Sequence, residues 1–219
     1  MPAMMPAGRG RLLLQLVLLV AVGWAAGQLL RASNPIGRTV GSHPAAVALL
    51  TGAGPPRLPA DPNTLTLVVF TDYRCAACRR ADPAMHAAVA KDGHVRLVYA
   101  DWPIFGAASE RAARVALAAD RQGIYPLLHQ RLMAEPRPLT DQVLRENVLA
   151  AGGDWVRILS DLQAHGPAIE KRLADNRLAA FALGIPGTPA YLAGPVLVVG
   201  ALDQRGFARA FEEGRAAAR

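Results

Sequence analysis

The sequence is poor in cysteine: Cys75 and Cys78 are the only two among its 219 residues. Two cysteines cannot build the disulfide framework on which small exported domains depend. Hydrophobic residues make up 52% of the chain, which is enough for a substantial core. We therefore expect a fold that is stabilised by its core, which leaves the cysteine pair available for chemistry.

Lysine and aromatic residues are also scarce. Lys91 and Lys171 are the only lysines, and aromatic residues make up 5% of the chain. The net charge of +7 comes almost entirely from arginines that are scattered singly along predicted helices. A nucleic-acid-binding surface would instead show a basic cluster interleaved with aromatic residues. We expect a diffuse basic surface and no nucleic-acid partner.

The two cysteines form a Cys-x-x-Cys pair, directly after the strand-like run Leu65–Phe70 and at the start of a predicted helix. Residues three apart lie on the same helical face, so the two sulfurs can close a small disulfide ring. The N–H groups and the dipole of a helix N-terminus lower the pKa of the first thiol. The pattern predicts a thiol–disulfide exchange site in which Cys75 reacts and Cys78 resolves. Positive charge near by acts in the same direction, from Arg74, Arg79 and Arg80.

Other uses of the pair fit the sequence less well. A structural disulfide is one alternative, but a ring of four residues gains little from loop-closure entropy. A zinc site would need two further ligands, and the histidines do not supply a pair at the usual spacing. Covalent haem would need a histidine directly after Cys78, where the chain has Arg79. We therefore expect neither a metal nor an organic cofactor. The histidines, which receive no role, are His43, His86, His94, His129 and His165.

An uncharged run of nineteen residues, Leu12–Leu30, lies near the N-terminus behind Arg9 and Arg11. Its length matches the ~20 residues of a membrane-spanning helix and exceeds the apolar core of a cleaved signal peptide. Residues 1–31 are therefore predicted to form an uncleaved signal anchor. Cleavage after the small residues 25–27 is the alternative, and a buried globular helix is a third. Either of the first two directs the chain to the export machinery.

Residues 32–60 are rich in Gly, Pro, Ala and Ser and show no sustained periodicity. This composition predicts a flexible linker that holds the following domain away from the membrane. A short helix or strand is possible at Ala45–Leu50. The folded domain is expected to cover residues 61–219.

Within that domain, apolar periodicity and turn residues indicate strands at both ends and a long helical block between them. The block is expected to be broken at several Gly and Pro positions, among them Gly166-Pro167. The predicted elements are, in order, a strand over Leu65–Phe70, a helix over Cys75–Ala90, a strand over Val95–Tyr99, a helix over Ser109–Arg121, short helices over Ile124–Leu183, a hairpin of Ala190–Leu192 and Val196–Val199, and a helix over Asp203–Ala218.

Three segments occur in a fixed order: FTDYRCAAC, VRLVYADWPIFGAAS and GIPGTPAYLAG. Together they resemble the DsbA-like thiol:disulfide oxidoreductases of the thioredoxin superfamily. The resemblance implies an α/β thioredoxin-like fold with an all-helical insertion at about 123–183, here preceded by the N-terminal hydrophobic helix. It also implies a cis Thr188–Pro189 bond beside the cysteines, and cis bonds occur essentially only before proline.

The resemblance assigns roles around the cysteines. Thr188 and Pro189 would flank the sulfurs, and the backbone of Thr188 could pair with a client peptide as an added strand. An ordinary tight turn into the hairpin is the alternative for these two residues. Strongly oxidising members of the family usually place Pro and His between the cysteines, where this chain has Ala76 and Ala77. Without that histidine, Cys75 should be less acidic and the disulfide a weaker oxidant.

Other residues near the pair keep two interpretations. Residues 102–105, Trp-Pro-Ile-Phe, could line an apolar substrate groove or could be core at the end of the second strand. Asp72 and Tyr73 could tune the cysteines, or could only cap the helix and pack.

The function predicted from the sequence is that of an extracytoplasmic enzyme that exchanges disulfides with cysteines of exported proteins. The family implies a membrane partner that resets the pair, either a quinone-linked oxidase or a reducing carrier. The expected location is the periplasm or the outer face of the inner membrane, with the chain anchored once or cleaved and soluble. One alternative is a reductase or isomerase for a dedicated client. An alternative of another class is a non-catalytic thioredoxin-like binding or chaperone module.

Overall fold

The structure, a computed structural model, describes residues 7–32, 35–52 and 64–219. The chain divides into two compact units, Met1–Pro35 and Ile36–Arg219. In the first unit, helix α1 spans Ala7–Ala32. No helix within the described ranges is both long enough and apolar enough to cross a membrane. The signal anchor expected over residues 1–31 gains no support from this finding and stays a prediction.

The second unit combines a five-stranded mixed sheet with helices on both faces. The strand order in the sheet is β1-β5-β4-β2-β3, with β2 parallel to β3 and antiparallel to β4. The elements are β1 (Arg38–Thr39), α2 (Pro44–Thr51), β2 (Leu65–Thr71), α3 (Ala76–Asp92), β3 (Val95–Asp101), α4 (Ala107–Asp120), α5 (Tyr125–Ala134), α6 (Asp141–Ala150), α7 (Trp155–Ala182), β4 (Ala190–Ala193), β5 (Val196–Val199) and α8 (Gln204–Ala217).

Strand β2 separates two hydrophobic clusters because successive side chains of a strand point to opposite faces. Leu67 and Val69 face a cluster that contains side chains of α3, α4, α5 and α8. Val68 and Phe70 face a second cluster that contains side chains of α2 and α7. A strand covered on both faces is expected to be a near-continuous apolar run, and residues 67–70 of β2 fit that rule.

The predicted flexible linker over residues 32–60 is wrong for Ile36–Gly52, which belong to the second unit. Strand β1 pairs antiparallel with β5, and the Val40 N–H donates to the Pro195 carbonyl oxygen over 2.8 Å. The helix possible at Ala45–Leu50 is present as α2, with the fully buried Ala46 packed into the second cluster. A two-residue strand and a helix of eight residues are too short for periodicity to reveal. Residues 53–60 of the predicted linker lie outside the described residues.

The helical block expected at about 123–183 contains α5, α6 and α7, and the breaks at residues 135–140 and 151–154 are present. The break expected at Gly166-Pro167 is wrong, because α7 runs continuously from Trp155 to Ala182. Proline removes one backbone hydrogen bond from a helix and leaves the carbonyl group four residues earlier without its partner. Here that carbonyl belongs to the exposed residue Gln163, so water can replace the lost N–H.

Candidate active site

The sheet register brings two distant loops to one edge of the sheet. Phe70 of β2 pairs with Ala190 of β4. The chain leaves β2 after Thr71 and enters α3, whereas it arrives at β4 from Thr188 and Pro189. The Cys75 loop and the Pro189 loop therefore meet, although more than a hundred residues separate them in sequence. The Thr188–Pro189 peptide bond is cis, as the family resemblance implied.

Cys75 is the N-cap residue of α3, and its sulfur occupies the position of a capping acceptor. The Cys78 N–H donates to the Cys75 Sγ over 3.1 Å. On its other side, the Cys75 Sγ lies 3.4 Å from the carbonyl oxygen of Thr188. The two cysteines are not bridged, and both side chains are buried. The structure thus holds the reduced pair between the first turn of α3 and the cis-proline loop.

This environment separates the acidities of the two thiols. The Cys75 thiolate can accept hydrogen bonds from the Cys78 thiol, from the Thr188 hydroxyl and from the N–H groups at the start of α3, and these lower the pKa of Cys75 to about 6 despite its burial. The pKa of Cys78 is raised, because its thiol donates to Cys75 and because it is buried. Near neutral pH the pair therefore carries a thiolate on Cys75 and a thiol on Cys78, which is the form that attacks disulfides.

Thr188 carries a further feature that bears on this thiolate. Its Oγ1 atom is buried and has no hydrogen-bond partner in the part of the chain that the structure describes. A buried hydroxyl without a partner costs free energy. A state of the site that offers the hydroxyl an acceptor is therefore favoured. The Cys75 thiol donates to the Thr188 carbonyl oxygen only while it is protonated. Once it has lost its proton, the Cys75 thiolate can accept a hydrogen bond from the Thr188 hydroxyl, which lowers the pKa of Cys75.

Asp72 fixes the loop before Cys75 and the loop before α4. Its carboxylate is buried and accepts the N–H of Arg74 over 2.7 Å. It also accepts the N–H groups of Ile104 and Phe105 over 2.6 and 3.1 Å. The Ser109 hydroxyl completes the set by donating to the same carboxylate. Asp72 therefore acts on the cysteines by positioning their loop, and the simple helix cap that the sequence allowed is instead formed by Cys75.

The apolar segment 102–105 was predicted to line a substrate groove or to be core, and its residues differ in burial. Trp102 is core: it is 4% exposed and packs edge to face against Phe70 and Phe181. Ile104 and Phe105 are 42% and 47% exposed and stand on the loop that Asp72 holds beside the Cys75 loop. Pro103 is partly exposed, so Ile104 and Phe105 are the most exposed side chains of the segment.

A buried polar network lies behind the cysteines and was not predicted from the sequence. Its members are Tyr73, Asp82, Asp101, Tyr125 and His129, and all five are buried. The Tyr73 hydroxyl lies 3.1 Å from Nδ1 of His129, whose Nε2 lies 3.3 Å from the Asp82 carboxylate. The Tyr125 hydroxyl donates to Asp101 over 2.8 Å, and burial raises the pKa of Asp101. Tyr73 thus joins the Cys75 loop to α5.

Local sequence patterns contain little sign of this network. Asp82 follows Cys78 by one helical turn, which is the only local hint, and His129 comes from α5 in the helical block. A lone histidine in a helix usually has no catalytic role, so only the packing of α5 against α3 reveals its partner.

The remaining predicted site residues surround the pair. Ala76 is exposed and Ala77 is partly buried at the start of α3, and Pro189 is buried beside them at the start of β4. Among the described residues, no group of three or more His, Cys, Asp or Glu side chains is arranged to hold a metal ion.

The family model described as a DSBA-like thioredoxin domain matches residues 66–212. A thioredoxin-like oxidoreductase from Silicibacter pomeroyi superposes with a TM-score of 0.67 at 30% identity, over 84% of this chain and 95% of that one. The thiol-disulfide exchange protein alpha-DsbA2 from Wolbachia pipientis gives a TM-score of 0.66 at 27% identity, over 70% of this chain and 84% of that one. A periplasmic thioredoxin-like protein from Salmonella enterica serovar Typhimurium gives a TM-score of 0.68 at 29% identity, over 80% of this chain and 98% of that one.

Curated relatives extend the comparison to longer proteins. The Na(+)/H(+) antiporter NhaA 1 of Mycobacterium sp. (strain KMS) is 26% identical to this chain, and the match covers 98% of this chain. That match covers 35% of the antiporter, so the chain spans about a third of the length of the curated relatives that it matches. The likeness gives no ground for assigning antiport to this chain.

Proposed function

Because the chain belongs to the DSBA-like thioredoxin domain family, we propose that it is a thiol:disulfide oxidoreductase that acts on cysteines of exported proteins. The observation that carries the proposal is the position of one sulfur: the Cys75 Sγ accepts the Cys78 N–H over 3.1 Å at the start of α3 and lies 3.4 Å from the Thr188 carbonyl oxygen in the cis-proline loop. These contacts fix the Cys75 sulfur at a helix start, and the surrounding donors lower its pKa to about 6. A sulfur that accepts donated hydrogen bonds is both a stable thiolate and a good leaving group.

In the oxidising direction, a client thiolate attacks Cys75 of the Cys75–Cys78 disulfide. The bond between the two enzyme sulfurs breaks, and its electron pair goes to Cys78, which takes up a proton. A second client thiolate then attacks the client sulfur of the mixed disulfide, and Cys75 leaves as a thiolate. Two electrons and the protons of two client thiols are thereby moved for each client disulfide formed.

In the reducing direction, the same steps run backwards from the reduced pair. The Cys75 thiolate attacks a client disulfide, and Cys78 must then lose its proton to resolve the mixed disulfide. That step is the demanding one, because burial raises the pKa of Cys78 and keeps the fraction of its thiolate small.

The residues around the pair have supporting roles in this proposal. Pro189 presents no N–H, so it cannot compete for acceptors near the sulfurs. The backbone of Thr188 pairs with the extended client segment, which adds a strand beside the cysteines. Ala76 and Ala77 offer no side-chain donor, so Cys75 lacks the histidine that strongly oxidising relatives place there. The disulfide is accordingly a weaker oxidant than the strongest members of the family.

We further propose that the chain works outside the cytoplasm, where disulfides persist. The similarity to a periplasmic thioredoxin-like protein supports this location. A quinone-linked oxidase would reset the pair of an oxidase, and a reducing transmembrane carrier would reset that of a reductase or isomerase. The N-terminal apolar segment would keep the enzyme near such a membrane partner. The redox chemistry uses the cysteine pair itself and calls for neither a metal nor an organic cofactor.

Thiol trapping in intact cells tests the proposal. Free thiols are alkylated with a mass tag at the moment of lysis, and the fraction of reduced Cys75 is read on a gel. An oxidase is found mainly as the disulfide, whereas a reductase or isomerase is found mainly reduced. Replacement Cys75→Ser should abolish disulfide exchange with client proteins in either case. If client maturation is unchanged in Cys75→Ser cells, the chain is a non-catalytic binding module and the proposal is wrong.

A further inference from the structure

A groove of about 440 Å³ opens beside the Cys75 loop. Three guanidinium groups line it, those of Arg74, Arg79 and Arg137, together with Ala108 and the loop over residues 136–140. No carboxylate is among the described residues that line it. We refer to this feature as the arginine groove.

The arginine groove lies beside the loop that carries the reactive sulfur. Arg74 is the residue before Cys75, so their Cα atoms are ~3.8 Å apart. Arg79 belongs to the first turns of α3, where its N–H donates to the Cys75 carbonyl oxygen over 3.0 Å. The groove therefore opens within a few residues of Cys75.

Hydrogen bonds to neutral carbonyl groups hold two of the three arginines in place. Arg74 donates from Nη1 to the Phe105 carbonyl oxygen over 3.0 Å. Arg79 donates from Nε to the Met133 carbonyl oxygen over 2.9 Å and from Nη2 to that of Glu135. Carbonyl acceptors fix the position of a guanidinium group but do not cancel its charge. In the described part of the chain, neither arginine forms an ion pair.

Arg137 contributes less charge to the groove. Its guanidinium group pairs with the carboxylates of Glu135 and Glu146, each at 2.7 Å. The pKa of Glu135 is consequently lowered to about 2 by the hydrogen bonds from Arg137. The two carboxylates outweigh the charge of Arg137, so the net positive charge at the groove comes from Arg74 and Arg79.

We propose that the arginine groove binds acidic side chains that lie close to the reacting cysteine of a client, and so selects acidic client segments. The inference rests on the proposed function, since it names the class of client for the same site. An extended chain rises ~3.3 Å per residue, so client residues two to four positions from the cysteine reach the groove. Charge complementarity of this kind acts chiefly on the association rate and weakens as salt is added.

The test uses the full-length protein in its disulfide form and three cysteine peptides. The three peptides differ only at the second and third positions from the cysteine, where they carry two Asp, two Asn or two Lys residues. One set of three has these residues on the N-terminal side of the cysteine, and a second set has them on the C-terminal side. The measured quantity is the second-order rate constant for reduction of the enzyme disulfide. Each rate is divided by that of the Asn peptide with the same enzyme, which cancels changes in the reactivity of Cys75. Each ratio is then compared between enzymes, which cancels differences between the peptide thiols.

The variants are Arg74→Gln and Arg74→Glu, with Arg145→Gln as the matched control. Arg74 and Arg145 are both exposed, but Arg145 stands on α6 and does not line the groove. We expect the wild type to prefer the Asp peptide by roughly tenfold at low salt. Arg74→Gln should lose most of that preference, Arg74→Glu should reverse it towards the Lys peptide, and Arg145→Gln should retain it.

Two results would overturn the inference while leaving the proposed function intact. One is equal reactivity of the three peptides with the wild type. The other is an equal loss of preference in Arg74→Gln and Arg145→Gln, which would assign the effect to the diffuse basic surface. Failure of every peptide to react would instead overturn the proposed function together with the inference.

Discussion

The Cys75 Sγ and the Thr188 carbonyl oxygen lie 3.4 Å apart, although 113 positions separate the two residues in sequence. The contact follows from the antiparallel pairing of β2 with β4, which aligns Phe70 with Ala190. It places the residue before the cis proline against the sulfur of Cys75. The predictions that follow depend on this arrangement and on the groups that hold it.

The order of attack predicts different behaviour for the two serine variants. Cys78→Ser leaves Cys75 able to attack but removes the group that resolves the mixed disulfide. Covalent complexes with client proteins should therefore accumulate on non-reducing gels and vanish on reduction. Cys75→Ser should show none, because Cys78 is buried and burial raises the pKa of its thiol. Complexes that form through Cys78 alone would reverse the assigned roles.

The pKa of Cys75 should depend on two neighbours in a fixed order. The hydrogen bond from the Cys78 thiol is the largest cause of its lowered pKa, and Thr188 is a smaller one. Cys78→Ala should therefore raise the pKa of Cys75 further than Thr188→Val does, from a starting value of about 6. The pH dependence of iodoacetamide alkylation of reduced protein measures all three values. An unchanged alkylation profile in both variants would show that other groups stabilise the thiolate.

Asp72→Asn should destabilise the fold. The buried carboxylate accepts hydrogen bonds from Arg74, Ile104, Phe105 and Ser109, and an amide would turn a donor towards some of them. The expected loss in the free energy of unfolding is roughly 2–3 kcal/mol, measured by urea denaturation. The control is Asp175→Asn, at an exposed carboxylate paired with Lys171, for which a change of about 0–0.5 kcal/mol is expected. Equal effects of the two replacements would contradict the positioning role of Asp72.

Asp101 should make stability depend on pH. Burial raises its pKa in the folded protein above the unfolded value of 3.8, so the folded state holds the proton more tightly. The free energy of unfolding therefore falls as the pH rises from the unfolded pKa to the folded one. Asp101→Asn removes this loss, so its Tm relative to that of the wild type should be higher at about pH 7 than at about pH 4. A Tm difference that is the same at both pH values would contradict the prediction.

Local sequence patterns predicted the parts of the site that depend on neighbours in the chain. The Cys-x-x-Cys spacing, the apolar run of β2 and the closing helix after Asp203 are all present as expected. Each rests on interactions within a few residues, which periodicity and capping describe well.

The parts that depend on distant packing were not predictable in this way. His129 meets Asp82 only because α5 packs on α3, and β1 forms only because the edge of β5 is open to it. The continuity of α7 through Pro167 depends on the exposure of Gln163, which a sequence does not give directly. Composition predicted a linker where β1 lies and a break at Gly166-Pro167. Both predictions are wrong, because tertiary packing and not composition decides the structure there.

A redox titration of the purified protein in glutathione buffers tests the central claim most directly. The ratio of reduced to oxidised glutathione is varied, the reaction is quenched with acid, and free thiols are counted by mass after alkylation. We expect one cooperative two-electron transition between the Cys75–Cys78 disulfide and the dithiol, with loss of that transition in Cys75→Ser. A protein that keeps both thiols, or keeps the disulfide, at every glutathione ratio would contradict the account.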